Sequence, residues 1–183
     1  MTIFAGRSGR GVALLVALSV GAALPVQAGN WADEKDYPDL AASKKICQSV
    51  RAVPPPAQDR PDAKTAASLA KCESKSLYYG LNGAPDPVRA RQCAFLERDR
   101  GEEDPFAGTA MLMMIYANGV GAKRDLTVAL ALACTLDGAP AELDGRALDL
   151  DEKRRTHWNG TDFSWCDAAT SGVASGYCSA LEA

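Results

Sequence analysis

Apolar residues recur along most of this chain at intervals of three and four, the spacing that lines one face of a helix. No stretch alternates apolar and polar positions as a half-buried strand does. A short helix is predicted over residues 41–50, with Cys47 on it. Val53-Pro54-Pro55-Pro56 then interrupts regular structure, because consecutive prolines lack amide protons and fix the backbone dihedral; the segment reads as a stiff, extended spacer. Asp62 opens a second helix, in which Ala66, Leu69, Cys72, Ser76 and Tyr79 hold helical spacing until the stretch from Gly80 to Gly83. Asp86-Pro87 begins a third, with the carboxylate as cap and the proline at the first helical position, where its missing N–H costs nothing. Val88, Ala90, Cys93, Ala94 and Leu96 carry that helix into the charged stretch from Glu97 to Asp104. Met111, Leu112, Ile115 and Tyr116 stripe the next, Asn118-Gly119 and Gly121 suit a tight connection with positive φ, and Asp125 caps a helix bearing Leu126, Ala129, Leu130 and Ala133. Pro140 starts another segment, with Leu143, Ala147 and Leu150 on one side. The pattern predicts an all-α fold, a short stack of antiparallel helix pairs.

One longer apolar run bears on the compartment. Val12 to Leu24 is nearly unbroken, follows Arg7 and Arg10, and ends at Val26-Gln27-Ala28. A basic start, an apolar middle and small closing residues make a secretory signal, with cleavage expected after Ala28. A membrane anchor is the competing reading. The run falls short of a span of about 20 residues, Gly21 and Pro25 interrupt its end, and no basic stop-transfer cluster follows. No Cys follows the small residues, which argues against a lipid anchor. Cleavage leaves 155 of the 183 residues, enough for one domain with a core. Because the leader holds two arginines and no acid, its loss takes the net charge from −3 to −5. A mildly acidic chain is a poor partner for nucleic acid or anionic lipid. The expected location is the periplasm or the exterior, with no membrane span after cleavage.

Cysteine usage agrees with export. Cys47, Cys72, Cys93, Cys134, Cys166 and Cys178 all lie beyond the leader, and an even count in an exported chain reads as disulfides. Zinc is the alternative, but its sites favour close Cys pairs with histidine, whereas these spacings are wide and His157 is the only histidine.

The chain also repeats itself. Tyr79, Gly83, Asp86 and Ala90 align with Tyr116, Gly119, Gly121, Asp125 and Ala129: a tyrosine, glycines, an aspartate, and an alanine four residues on. Asp86 and Asp125 stand 39 positions apart, a period that suits one helix–turn–helix unit. The second stretch resembles the Sel-like repeat, a short relative of the tetratricopeptide repeat, with Met113 and Ala122 where that family carries Gly and Val. The first stretch reads as a degenerate copy with a shortened loop. The resemblance covers roughly residues 62–136. It implies that Tyr and Ala pack between the two helices, that the glycines turn the chain, that Asp caps the second helix, and that the stack binds a protein partner. A generic antiparallel helix pair, which would need similar residues, is the competing reading. In a paired-helix unit Cys72 and Cys93 sit in opposite helices at similar distances from the turn and are expected to form a disulfide. Closing about 20 residues would contribute about 3 kcal/mol.

A second resemblance lies at the end of the chain. Cys166, Thr170 and Cys178, followed by small residues, are similar to the opening of the LprI-type lysozyme-inhibitor domain. That family continues into a helix with an Asp-x-x-Leu-Asn stretch, whereas this sequence ends at Ala183, so the match covers about 18 residues and implies a vestigial or truncated domain. Cys166 and Cys178 are then expected to pair, which leaves Cys47 for Cys134.

Candidate chemistry is sparse. His157 stands between Thr156 and Trp158 without a nucleophile motif near it and reads as a surface or packing residue. Glu97, Asp99, Glu102, Glu103 and Asp104 mix with Arg98 and Arg100 in what reads as a solvated loop or helix end. Asp149, Asp151 and Glu152 precede Lys153-Arg154-Arg155, acid before base, as on an exposed helix face. Met111, Met113 and Met114 read as core. Trp158, Phe163 and Trp165 read as a staple holding the C-terminal loop to the helices. There is no P-loop, dinucleotide fingerprint or calcium loop, and no catalytic, cofactor or metal residue is nominated.

The expected organisation is a leader over 1–28, an N-terminal helix and proline-rich linker over 29–61, two repeat units over 62–138, and a helical segment with a disulfide loop over 139–183. The function expected first is non-catalytic protein binding, as an adaptor or scaffold whose partner is not readable. Inhibition of lysozyme in the periplasm ranks second, and a glycoside-cleaving envelope enzyme, resting only on carboxylate content, third.

Overall fold

The computed structural model describes residues 40–101, 107–136 and 140–164, all within the Trp31–Ala183 unit of the chain. These residues form seven α-helices: α1 (Leu40–Val50), α2 (Ala63–Ser68), α3 (Ser74–Tyr79), α4 (Pro87–Arg100), α5 (Thr109–Asn118), α6 (Leu126–Ala133) and α7 (Pro140–Arg155). The proline run ends in a single 3-10 turn, Ala57–Asp59. Helices pack pairwise: α3 on α4, α5 on α6, α4 on α5, and α7 against both α6 and α1.

Local chemistry explains most boundaries. Asp62 accepts from the Thr65 N–H at 2.7 Å, Asp86 from the Arg89 N–H at 3.0 Å, and Asp125 from the Thr127 and Val128 N–H groups at 3.0 Å each. Caps of this kind are worth about 1 kcal/mol apiece. Pro87 takes the first turn of α4, where no amide proton is needed. Helix α5 is buried on every side from Ala110 to Asn118, and α6 from Val128 to Ala133, so these two form the centre of the molecule. Met111, Leu112, Met113, Ile115, Tyr116, Leu130, Leu150, Phe95 and Phe163 are the largest apolar side chains in that core, each contributing about 1.5–3 kcal/mol by burial.

Two disulfides are formed among the described residues. Cys72–Cys93 joins the connection before α3 to the middle of α4, with Cα atoms 5.9 Å apart; Cys47–Cys134 ties α1 to the end of α6, at 5.5 Å. Both pairings are those expected from the paired-helix arrangement and from what remained. Cys166 and Cys178 lie outside the described residues.

Two expectations are corrected. The helix predicted from Asp62 to Tyr79 is two helices, α2 and α3, separated by residues 69–73. After the break a carboxylate from α4 serves the N-terminus of α3: Glu97 accepts from the Ser74 N–H at 2.7 Å and also from the Ser74 hydroxyl. The register of the repeat also differs. The Asp86 N–H donates to the Leu77 carbonyl at 2.8 Å, and the Asp125 N–H to the Tyr116 carbonyl at 3.0 Å. Both bridges span the same number of residues, so the first turn is not shortened. Gly80 and Gly119, both left-handed at the end of their helices, are equivalent. Leu77, not Tyr79, stands in the place of Tyr116.

Candidate functional site

The second turn, residues 118–125, is held from both sides. Tyr116 is wholly buried, and its hydroxyl donates to Asp59 at 2.8 Å. Burial, reinforced by the hydrogen bond to that carboxylate, holds the phenol well above its ordinary value. Arg91 completes the group, donating to the Asp59 carbonyl at 3.2 Å and to the Gly121 carbonyl at 2.6 Å, while also pairing with the Asp59 carboxylate. The 3-10 turn after the prolines is thereby locked to both hairpins.

On the other side, Asn118 acts as a backbone mimic. Its amide oxygen accepts from the Phe163 N–H and its NH2 donates to the Phe163 carbonyl, both at 2.9 Å, with a further 3.3 Å contact to the Tyr78 hydroxyl. Arg124 donates to the Ala117 and Asn118 carbonyls and to that of Gly160. Its guanidinium and the Lys153 ammonium lie 5.2 and 5.3 Å from the Trp158 ring, a cation–π pair that seats the indole. Trp158 and Phe163 therefore hold the chain just after α7 to the core; Trp165 and the C-terminal disulfide loop they were expected to staple lie outside the described residues.

The first turn is different. Tyr79, Leu81 and Val88 are 50%, 62% and 50% exposed, and they are the only large apolar side chains so exposed among the described residues. Partial burial, followed by the neighbouring Tyr78, pushes the Tyr79 phenol up to about 12. Beside this turn lies a cleft of about 500 Å³ lined by Leu69, Lys71, Glu73, Leu77, Asn82 and Arg89, among others. Of the motif residues nominated from the sequence, Asp86, Asp125, Ala90 and Ala129 sit in the hairpins as caps and buried contacts, while Tyr79 and Gly83 lie at the surface of the first turn.

Several charged residues serve the structure in ways their sequence context hid. Glu97 is not solvated: it is 3% exposed, and besides Ser74 it accepts from the Gly108 N–H at 3.0 Å, capping the residue before α5. The acid–base run of α7 is not a freely exposed face either. Asp151 is buried and pairs with Arg154 at 2.6 Å and Arg155 at 3.0 Å, and Lys153 meets Asp149 at 2.6 Å. Asp144 and Arg146 on the same helix are buried as well. His157 is exposed and adopts φ 53°, ending α7 while the Trp158 N–H reaches back to the Lys153 carbonyl at 2.9 Å. Among the described residues no group of three or more His, Cys, Asp or Glu side chains is placed to hold a metal ion, and no helix is long and apolar enough to cross a membrane. Glu102, Glu103, Asp104, Thr170 and the Leu143 side chain lie outside the described residues.

Sequence reasoning missed Glu97, Asp59, Arg91, Asn118 and Arg124 as organising residues. Their partners lie 11 to 57 positions away along the chain in the contacts that matter most, such as Glu97 with Gly108 and Tyr116 with Asp59. No family model matches the chain, and no curated protein and no solved structure matches it.

Proposed function

We propose that this protein works without catalysis, as an exported adaptor or scaffold, periplasmic or secreted, whose helical hairpins are Sel-like units binding another protein. The observation that carries the reading is the recurrence of one hairpin at a 39-residue interval: Leu77 bridged to Asp86 and Tyr116 to Asp125, with Gly80 and Gly119 left-handed and both aspartates capping. Stacked units of this kind bury a shared core and leave their turns as an extended surface. Two disulfides indicate an oxidising environment, which supports export.

The test immobilises the oxidised chain and, in parallel, the same chain reduced and alkylated, and challenges both with extract of the exported compartment. A discrete set of proteins retained only by the oxidised form is the expected result. Retention no different from that of an unrelated acidic protein of similar size would overturn the reading.

A further inference from the structure

The second turn lies on the first hairpin. Gly121 approaches the first hairpin so closely that an added Cβ would fall 2.3 Å from the Pro87 carbonyl oxygen, and its own carbonyl accepts from Arg91. Asn82 stands 39 positions before Gly121; it is exposed and lines the 500 Å³ cleft. The cleft thus occupies the place where an earlier unit would pack.

Its chemistry is specific. Lys71 and Arg89 line it, both exposed, and neither makes an ion pair or side-chain hydrogen bond among the described residues. Glu73, the carboxylate of the lining, already accepts from the Ser76 hydroxyl at 2.8 Å. Exposed Leu81 and Val88 adjoin Asn82 and Arg89 in the chain. Two uncommitted cations in the lining, with exposed Leu81 and Val88 next to lining residues in sequence, suit a ligand that brings acceptors and apolar surface together.

We propose that this open end of the stack docks an acidic segment of a partner protein, with a carboxylate between Lys71 and Arg89 and an adjacent apolar side chain against Leu81 and Val88. The inference rests on the protein-binding reading above and names the chemistry of the partner. The charges select and steer the segment, and the apolar contact holds it.

The test uses the oxidised chain and fluorescent peptides: one alternating Leu and Asp, one with Asn for every Asp, one with Lys for every Asp, and a single-stranded oligonucleotide as a phosphate polymer. Binding is read by anisotropy for the wild type, for K71E/R89E, and for K123E on the second turn, with circular dichroism and disulfide mapping to confirm each fold. The acidic peptide is expected to bind wild type and K123E alike, to lose about tenfold in K71E/R89E, and to weaken as salt approaches physiological strength. The Lys peptide is expected to bind K71E/R89E better than wild type. Equal binding of the Asp and Asn peptides, indifference to K71E/R89E, or tighter binding of the oligonucleotide would overturn the proposal. If extract partners are still captured by K71E/R89E, the cleft assignment falls and the adaptor reading stands; if the wild type captures none, the adaptor reading falls with it.

Discussion

Replacing Glu97 with alanine tests whether one buried carboxylate organises the first hairpin. Three donors converge on it: the Ser74 N–H, the Ser74 hydroxyl and the Gly108 N–H, and both Ser74 and Gly108 are buried. Alanine leaves all three without that acceptor, at about 1–3 kcal/mol each, while relieving the cost of burying a charge. The net expectation is a loss of about 3–5 kcal/mol, a large share of the 5–15 kcal/mol that holds a typical domain together. At about 2–4 °C per kcal/mol for a chain of this size, the midpoint of thermal unfolding should drop by roughly 10 °C. Glutamine keeps one acceptor oxygen but turns an amide donor toward a backbone donor, so E97Q should lose about 2 kcal/mol. Exposed Glu152 provides the control, and E152A should stay within about 0.5 kcal/mol of wild type. Urea unfolding of the oxidised proteins, followed by far-ultraviolet circular dichroism, gives the free energies. Amide exchange at Ser74 and Gly108 should quicken in E97A before exchange in α5 does. A loss below about 1 kcal/mol in E97A, or one matched by E152A, would mean that Glu97 does not organise the hairpin.

The two disulfides close loops of very different length, with separations of 87 and 21 residues. Chain entropy therefore assigns about 4.5 kcal/mol to Cys47–Cys134 and about 3 kcal/mol to Cys72–Cys93, and thermal unfolding of C47A/C134A and C72A/C93A should rank them in that order. Gly121→Ala should cost more than Gly101→Ala, by about 2 kcal/mol, because both have positive φ but only Gly121 would press a Cβ into Pro87; equal losses in urea titrations would contradict the close packing of the second turn on the first hairpin. Burial raises the Asp151 carboxyl, but hydrogen bonds from Arg154 and Arg155 outweigh it and hold the group below its usual range. Its stabilisation is accordingly complete above the unfolded value of about 3.9 and is lost as pH falls through the folded value; D151N should flatten the decline of unfolding free energy below about pH 4, and an unchanged slope would discount the pairing.

Helix starts were legible wherever their cause lay within four residues. Asp62, Asp86 and Asp125 announce caps because their carboxylates serve N–H groups two or three positions on, and Pro87 and the Gly80 and Gly119 ends follow equally local rules. The 39-residue period is likewise written in the order of residues; the pairing of Cys72 with Cys93 was expected from two facing helices and forms although Cys72 lies in the break before α3. Matching tyrosine to tyrosine nevertheless misplaced the first copy, because the position equivalent to Tyr116 is set by a backbone bridge and is filled by Leu77. Nor could spacing reveal that a second helix starts at Ser74, since the carboxylate that serves its first N–H stands on α4, 23 positions beyond. Glu97 and Asp151 look solvated in sequence and are buried in space, while Asp99, Arg100 and Glu152 beside them are exposed. What depends on neighbours along a helical turn was determined by the order of residues alone. The burial of a charge, the register of a hairpin and the exposure of one turn but not the other depend on which distant groups arrive to satisfy or cover them, and only the tertiary structure decides that.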